Sequence, residues 1–410
     1  MTAQPACLTY YDFFAGIGMS ALGLGPSWRC LWANDFDHRK TQIFEDNFGA
    51  GIIHLEDIAR VQTGALPGHA DMAWASFPCQ DLSLAGWRRG MTAQRSGTFW
   101  DFWRLMNELQ QEQRAPRLLV IENVLGLLYG DNLTGLCEAL ALLNYRFGAV
   151  VIDSRHFIPQ SRPRVFMVAI DPTVDPGGLT LPNVPAEPSP WFPWRLRVSF
   201  DALPPALQDR WLWWYLPQPA PRSVHLADMV TEPDEHDPAW FDDRQVERLM
   251  AMMTPKNRQK IFGALESDPT FRVFTVYKRI RNGVQRAEVR DDGLSGCLRV
   301  PGGGSSRQIM LFAEEGRIRA RLMNRRELAR LMGLPDHFKI PTHYNNTYRA
   351  MGDGVAAPAV DWLARHVLTP LGSRSWRSGA RQALDPALGH THLEHLHVRP
   401  DACKQNPPAA

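Results

Sequence analysis

Asp12-Phe13-Phe14-Ala15-Gly16-Ile17-Gly18 closes the apolar run Thr9–Phe14 and opens into a helical stretch. Glycines at a strand-to-helix turn let the backbone approach a ligand closely, with the helix N-terminus facing it. Carboxylates follow at the ends of the next predicted strands: Asp35 in Ala33-Asn34-Asp35-Phe36-Asp37 and Asp57 in Leu55-Glu56-Asp57-Ile58. An acid at the tip of the second strand suits ribose hydroxyls, so this half reads as a nucleoside-cofactor site. Gly16-x-Gly18-x-x-Ala21 also satisfies the dinucleotide fingerprint. The motif alone therefore leaves a nicotinamide dinucleotide, S-adenosylmethionine and a ligand-free tight turn all open.

Working outward, further short apolar runs occur at Cys30–Asn34, Met72–Ser76, Leu118–Glu122 and Val165–Ile170, separated by amphipathic stretches such as Thr98–Gln111 and Leu133–Leu143. Strands alternating with helices predict an α/β fold with a doubly wound, mainly parallel sheet over residues 1–171. From Asp171 to Pro221 the chain is crowded with proline and carries Trp191, Trp194, Trp211, Trp213 and Trp214, which does not continue that pattern. A second, smaller lobe is expected over 172–316, irregular or β-rich, with the tryptophans as its core. Arg325–Gly333 and Asp353–Leu368 return to helical periodicity, so 317–371 is expected to complete the first domain. The small and polar residues of 372–410 read as a disordered tail. Its His390, His392, His395 and His397 resemble a chelator, and adventitious binding is the expectation there.

The 410 residues are enough for one large or two packed domains, and 44% are hydrophobic. No apolar run approaches the roughly 18–20 residues of a membrane span, and no signal peptide is legible. Six scattered cysteines without a CxxC pair argue against a disulfide framework or a structural zinc site, and a reduced, cytoplasmic compartment fits. The net charge of +2 hides an asymmetry: residues 272–330 carry 14 Lys and Arg against six Asp and Glu. Such a concentration is expected where a polyanion docks. Arginine dominates it, and its planar fork suits phosphates and guanine edges, although a GC-rich genome gives the same bias.

Ser76-Phe77-Pro78-Cys79-Gln80-Asp81 follows a predicted strand, which puts Cys79 on a loop at the carboxyl edge of the sheet, where ligands bind. A lone cysteine is commonly a small buried hydrophobe; here the flanking residues favour an exposed loop. Its thiolate is a soft nucleophile able to add to an electron-poor carbon such as C6 of a pyrimidine. Ile121-Glu122-Asn123-Val124 again lies just past an apolar strand, so Glu122 is expected on the same edge, unless it is merely an acid at a helix N-terminus. Gln160-Ser161-Arg162-Pro163-Arg164 precedes another strand, and its alternate arginines could face a phosphate or carboxylate on one side, or simply solvent.

In this order, the elements resemble the cytosine-C5 DNA methyltransferases of the bacterial and phage, restriction-modification type, from Tyr10 to about Leu368. The family's FxGxG is Phe14-Ala15-Gly16-Ile17-Gly18, its PCQ is Pro78-Cys79-Gln80, its ENV is Glu122-Asn123-Val124 and its QxRxR is Gln160 to Arg164. A late RExxRLMG element reads Arg326 to Gly333, and a closing GN(G/S)V element reads Gly352-Asp353-Gly354-Val355, with Asp353 where asparagine is usual. Aspartate accepts the same hydrogen bonds but donates no amide proton.

The resemblance implies transfer of a methyl group from S-adenosylmethionine to C5 of a cytosine flipped out of duplex DNA. Cys79 would add to C6, Glu122 would hold the exocyclic amine and protonate N3, and Arg164, with Arg162 beside it, would position the nucleotide. The cofactor would be held by Phe14, Gly16, Gly18, Asp35, Phe36, Asp57, Ile58 and Pro78, with Asp353 and Val355 from the C-terminal segment and no metal. Residues 172–316 would form the target-recognition lobe, with Lys278, Arg279, Arg281 and Arg307 contacting DNA. Arg299 and the glycine-rich Pro301–Ser306 lie in the same stretch. The implied partners are double-stranded DNA and a cognate restriction endonuclease, with a monomer sufficient for a one-base reaction. A tRNA cytosine methyltransferase, a nicotinamide-dependent oxidoreductase and a DNA-binding protein without catalysis are the alternatives. The oxidoreductase reading leaves PCQ, ENV and QxRxR without a role.

Overall fold

The computed structural model describes residues 7–78, 97–231, 237–267, 272–300, 307–314 and 317–374. The chain divides into two compact units: residues 1–152, 163–218 and 359–410 form the first, and residues 153–162 and 219–358 the second.

The first unit is built on a seven-stranded sheet. Its strands are β1 (Leu8–Phe13), β2 (Trp28–Asp35), β3 (Ile53–Leu55), β4 (Met72–Ala75), β5 (Leu118–Val124), β6 (Arg146–Asp153) and β7 (Pro163–Ile170), in the order β3-β2-β1-β4-β5-β7-β6. Helices α1 (Met19–Leu24), α2 (His38–Phe48), α3 (Thr98–Gln111) and α4 (Asn132–Leu142) lie between the strands in sequence, and α5 (Trp194–Asp201) and α6 (Pro205–Gln208) follow β7. The strands β4, Met-Ala-Trp-Ala, and most of β5, Leu-Leu-Val-Ile, are fully buried, as expected for strands covered on both faces. The five strands β1–β5 pair in parallel, and β7 runs antiparallel to β5. From β1 the chain winds through β2 and β3 to one side, then returns to β4 on the other. The carboxyl ends of β1 and β4 therefore flank the point where the winding reverses, which is where open α/β sheets bind ligands.

The unit boundaries differ from the sequence expectation. Trp191, Trp211, Trp213 and Trp214 are buried, but in the first unit, not in a second lobe. The Trp214 indole N–H donates to the carbonyl of Gly148 on β6 at 3.0 Å, and Phe147 bridges to Trp211. A Cβ at Gly148 would lie 1.7 Å from the Leu212 carbonyl oxygen, so only glycine lets the tryptophan segment run against β6. The composition shift at Asp171 is thus an insertion packed on the same sheet.

The second unit contains α7 (Asp243–Ala251), α8 (Pro255–Ser267) and a four-stranded antiparallel sheet. That sheet has the order β11-β10-β8-β9, with β8 Arg272–Arg281, β9 Val284–Arg290, β10 Ile309–Glu314 and β11 Arg317–Leu322. Leu249, Ile261, Phe274, Val276 and Leu311 belong to its core. Because β11 is an integral edge of this sheet, residues 317–358 stay with the second unit. The chain continues through α9 (Arg325–Arg330) and α10 (Tyr344–Asp353), and re-enters the first unit near α11 (Ala357–Leu363) and α12 (Thr369–Gly372). The expected helix Asp353–Leu368 is therefore interrupted: α10 ends at Asp353, and α11 restarts with Pro358 in its first turn, where proline is favoured.

Candidate active site

The carboxyl edge of the parallel strands assembles the predicted residues of the first unit. Gly18 caps α1 at φ +86, and a Cβ there would lie 2.2 Å from the Phe48 ring. Gly16 stands at φ +60 with open space where a Cβ would be, leaving its backbone approachable by a ligand. Phe14 also has a positive φ of 60, a conformation costly for a bulky residue. Asn34 stabilises that turn: its Oδ1 accepts from the Phe14 N–H at 3.3 Å, its backbone carbonyl accepts from Ala15, and its Nδ2 donates to Glu56. The sequence signal for Asn34 is slight: a polar residue at the end of an apolar strand.

Asp35 is buried at the end of β2. Its Oδ2 accepts the Gly16 N–H at 3.0 Å and its Oδ1 accepts the Asp37 N–H at 2.9 Å, which leaves further lone pairs for ribose hydroxyls. Burial pushes its pKa up, opposed by Lys40 and those two backbone donors. Phe36 beside it is 70% exposed, an uncovered ring suited to stacking on a base. Asp57 is exposed and caps the short helical turn Ile58–Arg60 by accepting from Ala59, while Ile58 is buried. Pro78 is exposed just after β4. An open glycine turn, a buried acid with spare acceptor capacity and an exposed aromatic fit a nucleoside cofactor.

Beneath the turn, Asp12 is fully buried, and its Oδ2 accepts from the Ser20 hydroxyl at 2.7 Å. Its Oδ1 has no hydrogen-bond partner among the described residues. Burial, with the Asp35 charge adding to it and Ser20 opposing, pushes the Asp12 pKa up to about 7. The folded state thus keeps a proton that the unfolded chain releases near the ordinary aspartate value. Stability falls as pH rises through that window, and the full cost of the buried charge is present above about pH 7. Asp12→Asn should remove this slope: in denaturant titrations, the difference in unfolding free energy between variant and wild type should move by a few kcal/mol between about pH 5 and about pH 8, in the variant's favour at the alkaline end. A difference that stays constant across that range would refute a protonated Asp12.

At the end of β5, Glu122 is buried and pairs with Arg164, whose Nε lies 3.1 Å from Oε1. The antiparallel pairing creates this contact. Val124 lies opposite Arg164 and Glu122 opposite Phe166, so Arg164 is diagonal to Glu122 on the same face. The next residue points the other way: Asn123 Nδ2 donates to the Phe77 carbonyl at 3.1 Å, tethering β5 to the segment that follows β4. Cys79 itself lies outside the described residues. Cys30 and Cys137 are buried, and burial pushes both thiols well above the ordinary cysteine range, so neither is a reactive thiolate.

The two arginines of QxRxR do not act together. Arg162 is fully buried in the second unit, where Nη1 donates to Leu298 and Nη2 to the carbonyls of Gly352 (2.7 Å) and Gly354. Gln160, also buried, donates to the Leu331 carbonyl and accepts from Leu298 N–H at 3.1 Å. These residues clamp the Gly352–Val355 and Arg330–Gly333 elements to one another, a positioning task in place of nucleotide contact. Asp353 ends α10 beside this clamp, and Val355 is buried.

In the second unit, Arg279 and Arg286 are exposed directly opposite one another on the β8–β9 hairpin, a like-charge pair that costs stability. Arg279 stacks over Tyr277 at 4.8 Å. Arg286, which the sequence reading passed over, lines an open groove with Phe241, Arg248, Met252, Lys278 and Val284. Arg281 is committed to Glu288 at 2.7 Å, and Arg307 donates to Asn345 at 2.6 Å. Residues Pro301–Ser306 and the histidine-rich tail lie outside the described residues.

Fold and site together define a methyltransferase of the S-adenosylmethionine-dependent α/β class. Residues 8–369 match the model of the C-5 cytosine-specific DNA methylase family, and the chain belongs to that family. It is similar to the Type II methyltransferase M.HpaII of Haemophilus parainfluenzae, 24% identical over 89% of this chain and 90% of that one. It is also similar to M.HhaI of Haemophilus parahaemolyticus, 24% identical over 88% and 94%. Among solved structures, the S. pombe Dnmt2 methyltransferase matches with a TM-score of 0.57 at 15% identity, covering 89% of this chain and 99% of that one. The Entamoeba histolytica methyltransferase EhMeth matches at 0.55 and 12%, covering 89% and 98%. The protein is a DNA (cytosine-5) methyltransferase that uses S-adenosylmethionine as methyl donor. No helix among the described residues is long and apolar enough to cross a membrane.

Proposed function

We propose that this chain methylates one cytosine within a short duplex sequence after flipping it out of the stack, through a covalent bond between Cys79 and C6, as the modification half of a Type II restriction-modification pair acting as a monomer in the cytoplasm. The Glu122–Arg164 pair carries this reading: a buried, ion-paired carboxyl group stands on the strand whose Asn123 holds the Phe77 carbonyl, two residues before Cys79 in sequence. Flipping is required because C5 and C6 are shielded inside a stacked duplex. Cys79 thiolate adds to C6, and Glu122, held by Arg164, accepts from the exocyclic amine and delivers a proton to N3, so no charge accumulates on the ring. When bound, S-adenosylmethionine supplies the electrophilic methyl group that the activated C5 takes up. Loss of the C5 proton to solvent, return of the N3 proton to Glu122 and expulsion of the Cys79 thiolate then restore the neutral aromatic ring.

Asp35, Phe36, Asp57, Ile58, Phe14, Pro78 and the backbone of Gly16 and Gly18 hold the cofactor in this reading, with Asp353 and Val355 carried over from the family pattern. Lys278, Arg279, Arg281 and Arg307 are the DNA contacts, and Arg279 is the strongest base-reading candidate because it forms no close ion pair among the described residues, the nearby Glu288 being held by Arg281. Incubation of the protein with unmethylated genomic DNA and S-adenosylmethionine, followed by base-resolution mapping, should give 5-methylcytosine confined to one short motif. Methylation scattered without a motif, or found in tRNA in place of DNA, would overturn the reading.

A further inference from the structure

We infer that the first unit carries its own DNA-backbone contact, an arginine held against two exposed aromatic rings just beyond the carboxyl end of β5. Helix α5 (Trp194–Asp201) lies there because Ser199 Oγ donates to the Leu128 carbonyl at 2.9 Å, fixing it over the turn that follows Glu122-Asn123-Val124. The Arg195 guanidinium carbon sits 4.6 Å from the Tyr129 ring centroid and 4.3 Å from that of Trp194. Both rings face solvent, Trp194 at 58% exposure and Tyr129 at 51%, and Val198 one turn along is 48% exposed. Arg195 Nε is buried without a hydrogen-bond partner among the described residues, and no carboxylate there pairs with the guanidinium.

Large exposed rings gathered at one spot are uncommon on a protein surface and mark a contact. Two rings against one guanidinium limit its freedom while its charge stays unneutralised, a preorganised cation for a phosphodiester. A second cation, Arg197 over Trp213, lies on the same helix. The occupant that matches an unneutralised cation against exposed rings is the polyanionic substrate. The contact lies on the edge that carries Glu122, and an insertion with no place in the repeating strand-helix pattern supplies it.

The test is fluorescence anisotropy of a labelled mixed-sequence DNA duplex across a salt series. Arg195→Ala should weaken binding several-fold and lower the slope of log affinity against log salt by about 1, equally for a duplex with and without the methylation site. Arg195→Lys should keep the slope and lose part of the affinity, because a point charge remains without the stacked fork. Arg195→Gln serves where the alanine variant does not fold, and S-adenosylmethionine titration by calorimetry reports that the cofactor site is intact. An unchanged slope in a folded Arg195→Ala or Arg195→Gln variant overturns the inference and assigns the patch to a protein partner. The inference rests on DNA as the substrate. A wild type that leaves DNA unmethylated defeats that reading, whereas an active wild type with an unchanged variant slope defeats only the contact.

Discussion

Cys79→Ala should abolish methyl transfer to DNA while the folded protein still binds duplex and cofactor. The carbon at C6 is an electron-poor, soft centre, and C5 becomes nucleophilic only after a bond forms at C6. Alanine offers no lone pair, and water is too weakly nucleophilic at neutral pH to replace a thiolate. The expected rate is below about 10⁻⁴ of wild type, the scale on which losing a covalent nucleophile is felt. Cys30 and Cys137 cannot compensate, since both are buried and their ionisation is suppressed by burial. Affinity for DNA should change little, because the DNA contacts proposed above are other residues.

A chemical trap makes the same point without mutation. Fluorine at C5 of the target cytosine cannot leave as a proton does, so Cys79 stays bonded to C6 and the complex survives denaturing electrophoresis. Cys79→Ala should form no such complex. Turnover within tenfold of wild type in the variant, or a persistent adduct without the thiol, would remove Cys79 from the mechanism.

The strands of the first unit are legible in sequence wherever an apolar run is bounded by polar residues. β1, β2, β4, β5 and β7 each fall within a few residues of their expected limits. β3 is legible only as the strand end implied at Asp57, because it has three residues, with His54 and Leu55 exposed, and so offers no apolar run. β6 escapes because only Leu143, Asn144 and Tyr145 separate it from α4, and the apolar character continues across the turn. The Glu122–Arg164 pair is not readable at all from spacing: it depends on β7 pairing antiparallel to β5, a register that local sequence does not encode. Arg162 and Arg164 share a motif and a polarity, yet one is sequestered by carbonyls and the other meets a carboxylate, because the unit boundary falls between them. The tryptophan segment misleads for a related reason, since a change in composition reports an insertion and not the surface on which it packs.

The second unit is expected to be most sensitive at Arg321 and Glu327. Their side chains are 2% and 1% exposed and form a bidentate pair with N–O distances of 2.7 and 2.6 Å. Glu327 also accepts from the backbone N–H groups of Thr231 (3.0 Å) and Asn324 (2.7 Å), closing a capping box on α9. Arg321 donates to the Thr231 and Leu322 carbonyls and lies over the Phe312 ring at 5.0 Å. The glutamate of the Arg326-Glu327 motif therefore joins β11, α9 and the strap at Thr231, a structural duty that its place in a family pattern does not reveal.

Glu327→Ala leaves a guanidinium buried without its counter-charge and strips two backbone donors of their acceptor. The expected loss is about 3–5 kcal/mol in unfolding free energy, the range found when one partner of a buried pair is removed. Arg321→Met combined with Glu327→Gln should lose clearly less than Glu327→Ala alone. The isolated charge is gone in that double variant, and the glutamine carbonyl still serves one backbone N–H. Urea titration of the three proteins measures this directly. A loss under about 1 kcal/mol for Glu327→Ala, or a double variant weaker than the single one, would mean the pair is not what holds these segments together. The contrast with Arg281–Glu288 decides the cause: that pair has a similar length but an arginine 56% exposed, and breaking it should shift the urea midpoint far less because water replaces the lost partner.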